Sequence, residues 1–310
     1  MKKYDKDCIY GGFASVYDTF MDNAPYKEWC ERIVRLINEY GVSRPQERNA
    51  ADKWRECAEQ EDAGQEFVAE EQIPERAISD SAILESAILE SERNLMVDLG
   101  CGTGTLTQML YKKGYDMIGV DNSEEMLNVA MEKREQEGDE ILYLLQDMRE
   151  LELYSTVGTV VSVCDSVNYI LEEDELLDTF KLVNNYLYPG GIFIFDFNTV
   201  YKYEHVIGDT TIAENRDDCS FIWENFYHSD EEINEYDLTV FVQEEGDRFR
   251  RFTETHYQRG YTAEQMTALV EEAGMKVLLV KDSDTDGPVT ENSQRIYLVA
   301  REQGKEEKNV

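Results

Sequence analysis

An α/β fold is predicted for this 310-residue chain on three observations. Short β-branched apolar runs alternate with stretches of helical spacing, the pattern of a doubly wound sheet. A glycine-rich run, Asp98-Leu99-Gly100-Cys101-Gly102-Thr103-Gly104, joins one such strand to one such helix. The length suffices for one domain and a small addition, and a hydrophobic content of 42% supports a core. No apolar run approaches the roughly 20 residues of a membrane span.

The elements follow in order. Pro25 suits the first turn of a helix to about residue 40, whose Trp29, Ile33, Leu36, Ile37 and Tyr40 share one face. Residues 41–93 turn polar and acidic and carry an identical tandem repeat, Ala82-Ile83-Leu84-Glu85-Ser86 and Ala87-Ile88-Leu89-Glu90-Ser91. Two copies of five residues make no solenoid. The segment is predicted to be an insertion, largely disordered, with a helix over roughly 79–92; a partner-binding helix is the alternative.

Leu95-Met96-Val97 starts the first strand, and Leu106, Met109 and Leu110 mark the helix behind the glycine run, ending at Gly114. Met117 to Val120 is the second strand, closing on Asp121. Ser123 caps a helix bearing Met126, Leu127 and Ala130. Ile141 to Leu145 is the third strand and Val157 to Val163 the fourth, ending at Cys164-Asp165-Ser166. Leu176, Phe180, Val183 and Leu187 define the next helix, stopped by Pro189-Gly190-Gly191, and Ile192 to Asp196 is the fifth strand. Thr262-x-x-Gln265 is a capping box opening a helix with Met266, Leu269 and Val270, closed by Gly274. Lys276 to Val280 and Arg295 to Ala300 are the last two strands.

Between the fifth strand and that last helix, Cys219 to His228, Ile233 to Gln243 and Phe249 to Tyr261 are rich in aromatic and β-branched residues, with acidic turns between them. They predict an antiparallel sheet. Placed over the carboxyl ends of the main strands, it roofs the crevice where open α/β sheets bind ligands.

Strand, glycine loop and helix bring backbone N–H groups close to a ligand. A dinucleotide fingerprint needs a glycine where Thr105 stands, which counts against a nicotinamide enzyme. The pattern is acidic-x-G-x-G-x-G, and it resembles motif I of class I methyltransferases that use S-adenosyl-L-methionine (SAM). Asp121, about 20 residues on, then stands where a carboxylate accepts two ribose hydroxyls. The resemblance implies a Rossmann-like seven-stranded sheet whose last strand returns antiparallel. It also implies a cofactor set of Asp98, Gly100, Cys101, Gly102, Gly104, Asp121, Asn122, Met126, Asp147, Met148 and Cys164. In it, Asp147 faces the adenine amino group and Met148 the ring.

Tyr10-Gly11-Gly12-Phe13-Ala14-Ser15-Val16-Tyr17-Asp18 is similar to the lead segment of YqeM-type bacterial methyltransferases and of amino-sugar and glycine/sarcosine N-methyltransferases. The resemblance implies that it folds across the cofactor. The expected organisation is a lid and helix over 1–40, the insertion over 41–93, a SAM-binding core of 94–200 and 262–302, a β insertion over 201–261 that covers the active site, and a disordered tail over 303–310.

The reaction implied is in-line methyl transfer, for which the protein aligns a nucleophile and excludes water. Asp165, at the end of the fourth strand, is the first candidate for the catalytic group. Tyr10, Tyr17, Tyr169 and His256 are the others. The acceptor is expected to be a small polar metabolite, methylated on nitrogen. A methyltransferase of RNA or protein, and a non-catalytic SAM-binding regulator or scaffold, are the alternatives.

A formal charge of −36 argues against a nucleic-acid partner, since binding a polyanion rests on Lys and Arg. Six dispersed cysteines without C-x-x-C, and three histidines without ligand spacing, predict neither a metal site nor a disulfide framework. The first residues resemble no signal peptide, so the cytoplasm is the expected compartment. The oligomeric state is left open.

Overall fold

The computed structural model describes residues 13–46 and 86–305. Its main sheet has seven strands in the order β10-β11-β5-β4-β1-β2-β3. These are β1 (Leu95–Leu99), β2 (Asp116–Asp121), β3 (Leu142–Leu145), β4 (Val157–Ser162), β5 (Leu187–Asn198), β10 (Met275–Asp282) and β11 (Arg295–Glu302). β11 pairs antiparallel with both β5 and β10, and the other pairings are parallel. The buried strands read as apolar runs because helices cover both faces: all six residues of β4 are buried.

On one face, α2 (Tyr26–Tyr40) and α3 (Thr105–Lys112) bury Cys30, Ile33, Leu36, Ile37, Leu106 and Leu110 against Met96, Val161 and Ile194. α4 (Glu124–Glu137) follows β2. On the other face, α5 (Glu173–Tyr186) and α6 (Ala263–Glu272) seat Phe180, Val183, Met266 and Val270 on Val160, Phe193 and Phe195. The caps are those the sequence predicts. Ser123 accepts the amide of Met126 at 3.2 Å, and Thr262 and Gln265 form a reciprocal capping box.

A second sheet, ordered β6-β7-β8-β9, is antiparallel throughout. Its members are β6 (Thr211–Asn215), β7 (Cys219–His228), β8 (Ile233–Gln243) and β9 (Phe249–Arg259). The three predicted strands stand nearly at their expected limits; β6, short and largely exposed, carries no alternation to announce it. One face of this sheet rests on a helix that periodicity did not reveal, α1 (Ala14–Phe20). Val16 and Phe20 pack against Cys219, Phe221, Leu238 and Val240.

The insertion is narrower than 41–93. Residues 41–46 are laid on the core: Ser43 is wholly buried, 2.8 Å from the Thr159 hydroxyl, and the amide of Gln46 donates to the Gly114 carbonyl at 2.8 Å. Residues 86–94 are helical and lead directly into β1. Residues 47–85, with the first four residues of the repeat, lie outside the described residues. The expected tail is likewise anchored as far as Lys305. Its ammonium donates to the carbonyls of Asn184, Asn185 and Leu187 at 2.6–2.8 Å, closing the negative end of α5. Among the described residues no helix is long and apolar enough to cross a membrane.

Candidate active site

A cavity of about 770 Å³ opens at the carboxyl ends of β1, β2 and β4, where an open α/β sheet binds ligands. Its floor is the glycine loop. Gly102 has φ +54°, and a Cβ placed there would meet no atom within 4 Å. The loop therefore offers bare backbone to open space, a cradle that any side chain would fill. Gly104 also needs its left-handed backbone, φ +73°, but it lies behind the cavity wall. There it starts α3, and a Cβ would come within 2.4 Å of the Tyr143 hydroxyl.

Asp121 closes one side. Its carboxylate accepts the amides of Gly102 at 2.8 Å and Ser123 at 2.9 Å. Burial raises its pKa, opposed by those same amides. Asp98 is buried deeper and accepts the Thr107 hydroxyl at 2.6 Å; burial lifts its pKa to about 7. Gly100, Cys101, Asn122, Met126, Met148 and Cys164 also line the cavity. So does Asp147, whose carboxylate is forked onto Arg149. Arg149 in turn reaches Glu175 at 2.9 Å.

Cys101 and Cys164 line this cavity, and both thiols are pushed up by burial, Cys164 to about 12. At neutral pH neither supplies the thiolate that a nucleophile requires.

Of the catalytic candidates, Tyr17 and Tyr169 line the cavity. Tyr10 lies outside the described residues. Asp165 does not reach the cavity: its oxygens are held by the Arg295 guanidinium at 2.5 Å and the Gln258 amide at 2.7 Å. Arg295 also grips Asp196, which accepts the backbone amide of Asp165 at 2.9 Å. Cys164 and Asp165 both have positive φ, 63° and 55°. This clamp holds a turn that non-glycine residues rarely adopt. The arrangement makes Asp165 a support of the strand end. His256 is buried on β9, one layer behind Tyr169, with its Nδ1 3.3 Å from the Tyr169 hydroxyl.

Four groups escaped the sequence reading. Tyr26 opens α2 on the cavity, and burial raises its phenol. Ser166, Arg149 and Arg259 complete the wall. None sits in a spacing that marks it, because their positions depend on pairings distant in sequence.

α1 is tied to the glycine loop. Asp18 accepts the hydroxyls of Thr103 at 2.6 Å and Thr105 at 3.2 Å and pairs with Lys133 of α4 at 2.8 Å. The same helix rests on the second sheet, so both are locked to the glycine-loop end of the cavity.

This fold and glycine-loop cavity define a class I SAM-dependent methyltransferase. A family model described as a methyltransferase domain matches residues 96–191. YqeM of Bacillus subtilis strain 168, a provisionally named methyltransferase, is 32% identical over 94% of this chain and 97% of its own. The chain belongs to that family. It is also 27% identical, over 60% of its length and 77% of the other, to the dTDP-3-amino-3,4,6-trideoxy-alpha-D-glucopyranose N,N-dimethyltransferase of Streptomyces venezuelae. Among solved structures, a SAM-dependent methyltransferase from Clostridium acetobutylicum ATCC 824 aligns at a TM-score of 0.64 with 27% identity, covering 82% of this chain and all of that one.

Proposed function

We propose that this methyltransferase transfers the methyl group of SAM to the nitrogen of a small, cationic, polar metabolite. The observation that carries the reading is the charge of the cavity wall. Asp121, Asp147, Glu172, Glu175, Asp230, Glu231 and Glu232 line it against Arg149 and Arg259 alone. Both arginines are already engaged with carboxylates, Arg149 with Asp147 and Glu175, Arg259 with Glu173 at 3.1 Å and Glu232 at 3.5 Å. Such a wall attracts ammonium groups and repels phosphates. It therefore disfavours RNA, and also the sugar nucleotide named for the Streptomyces relative.

In this reading Asp121 accepts the ribose hydroxyls, the bare backbone at Gly102 lies against the cofactor's amino-acid end, and Met148 lies along the adenine. When bound, SAM supplies a methyl group already activated on a sulfonium. The chain contributes alignment and the exclusion of water by α1 and the second sheet. Tyr17 and Tyr169 orient the acceptor nitrogen, which must lose its proton before it attacks.

The test is release of S-adenosylhomocysteine with a panel of free polyamines and amino sugars, beside a dTDP-linked amino sugar and total RNA. Turnover is expected with free amines and not with the nucleotide-linked sugar or RNA. Turnover confined to RNA would overturn the acceptor class and leave the cofactor assignment standing.

A further inference from the structure

Behind Tyr169 the second sheet buries three polar side chains, those of Tyr236, His256 and Glu254. Tyr169 ends the turn Ser166–Tyr169 that follows β4 and faces the cavity. Its hydroxyl is 2.6 Å from that of Tyr236 and 3.3 Å from His256 Nδ1. His256 Nε2 is 3.3 Å from the Glu254 carboxylate. The His256 side chain is 1% exposed and that of Glu254 7%. The backbone amide of Phe13 donates to the other Glu254 oxygen at 3.2 Å, tying the series to the start of α1. Tyr236 pairs with His256 across β8 and β9, and their rings stack at 4.9 Å with an interplanar angle of 8°.

The chemistry of the end groups sets the direction of these bonds. An ionised carboxylate only accepts, so the proton between Glu254 and His256 belongs to Nε2. With the ring carrying that single proton, Nδ1 is a lone pair to which Tyr169 donates. The Tyr169 hydroxyl has one proton, so the bond between the two tyrosines is donated by Tyr236. Tyr169 thus meets the cavity as an acceptor, backed by an imidazole that a carboxylate orients. This is the logic of a hydroxyl, histidine and acid in series.

We propose that Tyr169, His256 and Glu254 form a proton relay that converts the acceptor's ammonium into the attacking amine. The relay rests on the amine reading above. The ammonium N–H bond breaks as an O–H bond forms at Tyr169, while the proton that Tyr169 carried passes to His256 Nδ1. The positive charge so created lies against Glu254 and under the face of Tyr236, both of which stabilise it. After methyl transfer the proton leaves to water. Tyr169 touches the acceptor and is the catalytic residue. His256 and Glu254 act through it.

The tautomer is tested on the full chain by long-range 15N–1H correlation of the imidazoles at pH 8, with His256 assigned by loss of its signals in His256→Gln. A proton on Nε2 and none on Nδ1 is expected, with the Nδ1 resonance displaced in Tyr169→Phe. A protonated Nδ1 overturns the relay, and so does an Nδ1 unmoved by Tyr169→Phe. On an amine that wild type methylates, Tyr169→Phe and His256→Gln are expected to lower kcat at least tenfold with KM for SAM within threefold. Wild-type kcat in Tyr169→Phe overturns the relay while the amine reading stands. Failure of wild type to methylate any amine overturns the amine reading, and the relay with it.

Discussion

The carboxylate of Asp121 and the amide of Gly102 are joined by a hydrogen bond of 2.8 Å, from the end of β2 to the middle of the glycine loop. One acidic side chain therefore shapes the loop from below while standing beside the space the ribose is proposed to fill. With its second oxygen on Ser123, it also links the start of α4 to the loop. Each oxygen keeps further acceptor capacity, so both tasks are compatible.

The first prediction follows from that double duty. Asp121→Ala is expected to weaken SAM binding by about 2–3 kcal/mol, roughly a hundredfold in Kd. Asp121→Asn, which retains one carbonyl acceptor, should fall between the two. Calorimetry with S-adenosylhomocysteine measures both, and affinity within twofold of wild type in the alanine variant would refute the placement.

A second prediction concerns pH. Asp98 has a pKa of about 7 in the folded chain against an ordinary 3.8, raised by burial. Between those values the folded state holds a proton that the unfolded state has lost, so this group's contribution to stability falls as pH rises from about 4 to 7. At 1.36 kcal/mol for each pH unit, the window amounts to roughly 4 kcal/mol. Asp98→Asn removes the dependence. Urea unfolding of ligand-free protein should show the variant gaining on wild type with rising pH, and a constant difference would contradict the account.

Asp18 provides the third. Its bonds to Thr103, Thr105 and Lys133 hold α1 down on the cofactor end. Asp18→Asn keeps the side-chain volume and loses the charge. S-adenosylhomocysteine should leave it 5- to 30-fold faster, the equivalent of about 1–2 kcal/mol for charge-assisted bonds, with little change in Tm. Stopped-flow displacement reads the rate; an unchanged rate would mean that α1 does not gate the site.

Residues 47–85 are expected to be dispensable for cofactor binding, because their polar, acidic composition offers little apolar surface to bury. A cut from Tyr40 would remove Ser43, which is buried against Thr159, so the deletion must spare 41–46. Replacing 47–85 with a short Gly/Ser linker should leave affinity within about twofold and Tm nearly unchanged. Loss of folding would show that the segment packs on the domain.

Much of the fold was legible because its signals are local. The seven strands, the caps at Ser123 and Thr262 and three strands of the second sheet are marked within about a dozen residues, though Leu187 and Pro189-Gly190-Gly191, expected to close a helix, instead begin β5. The glycine-loop end of the cavity was legible for the same reason: Gly100, Gly102 and Asp121 lie on consecutive elements and line it together. The acceptor end was not. Asp165 looked like a catalytic group from its place on β4, and only Arg295, 130 residues later, shows that its charge is spent on the strand end. His256 could be seen on a strand, but its stacking on Tyr236 and its reach to Tyr169 depend on sheet register and on the turn after β4. α1 was hidden for another reason. It is only seven residues long, and its apolar face is matched to the second sheet.

The central claim is that the glycine loop is the floor of the SAM site, and Gly102→Val tests it most directly. The substitution places a branched side chain in the open space above the loop and at a φ of +54°. Isothermal titration calorimetry with SAM, paired with circular dichroism, should show a folded protein that no longer binds the cofactor. A folded variant that binds SAM with wild-type affinity would contradict the account.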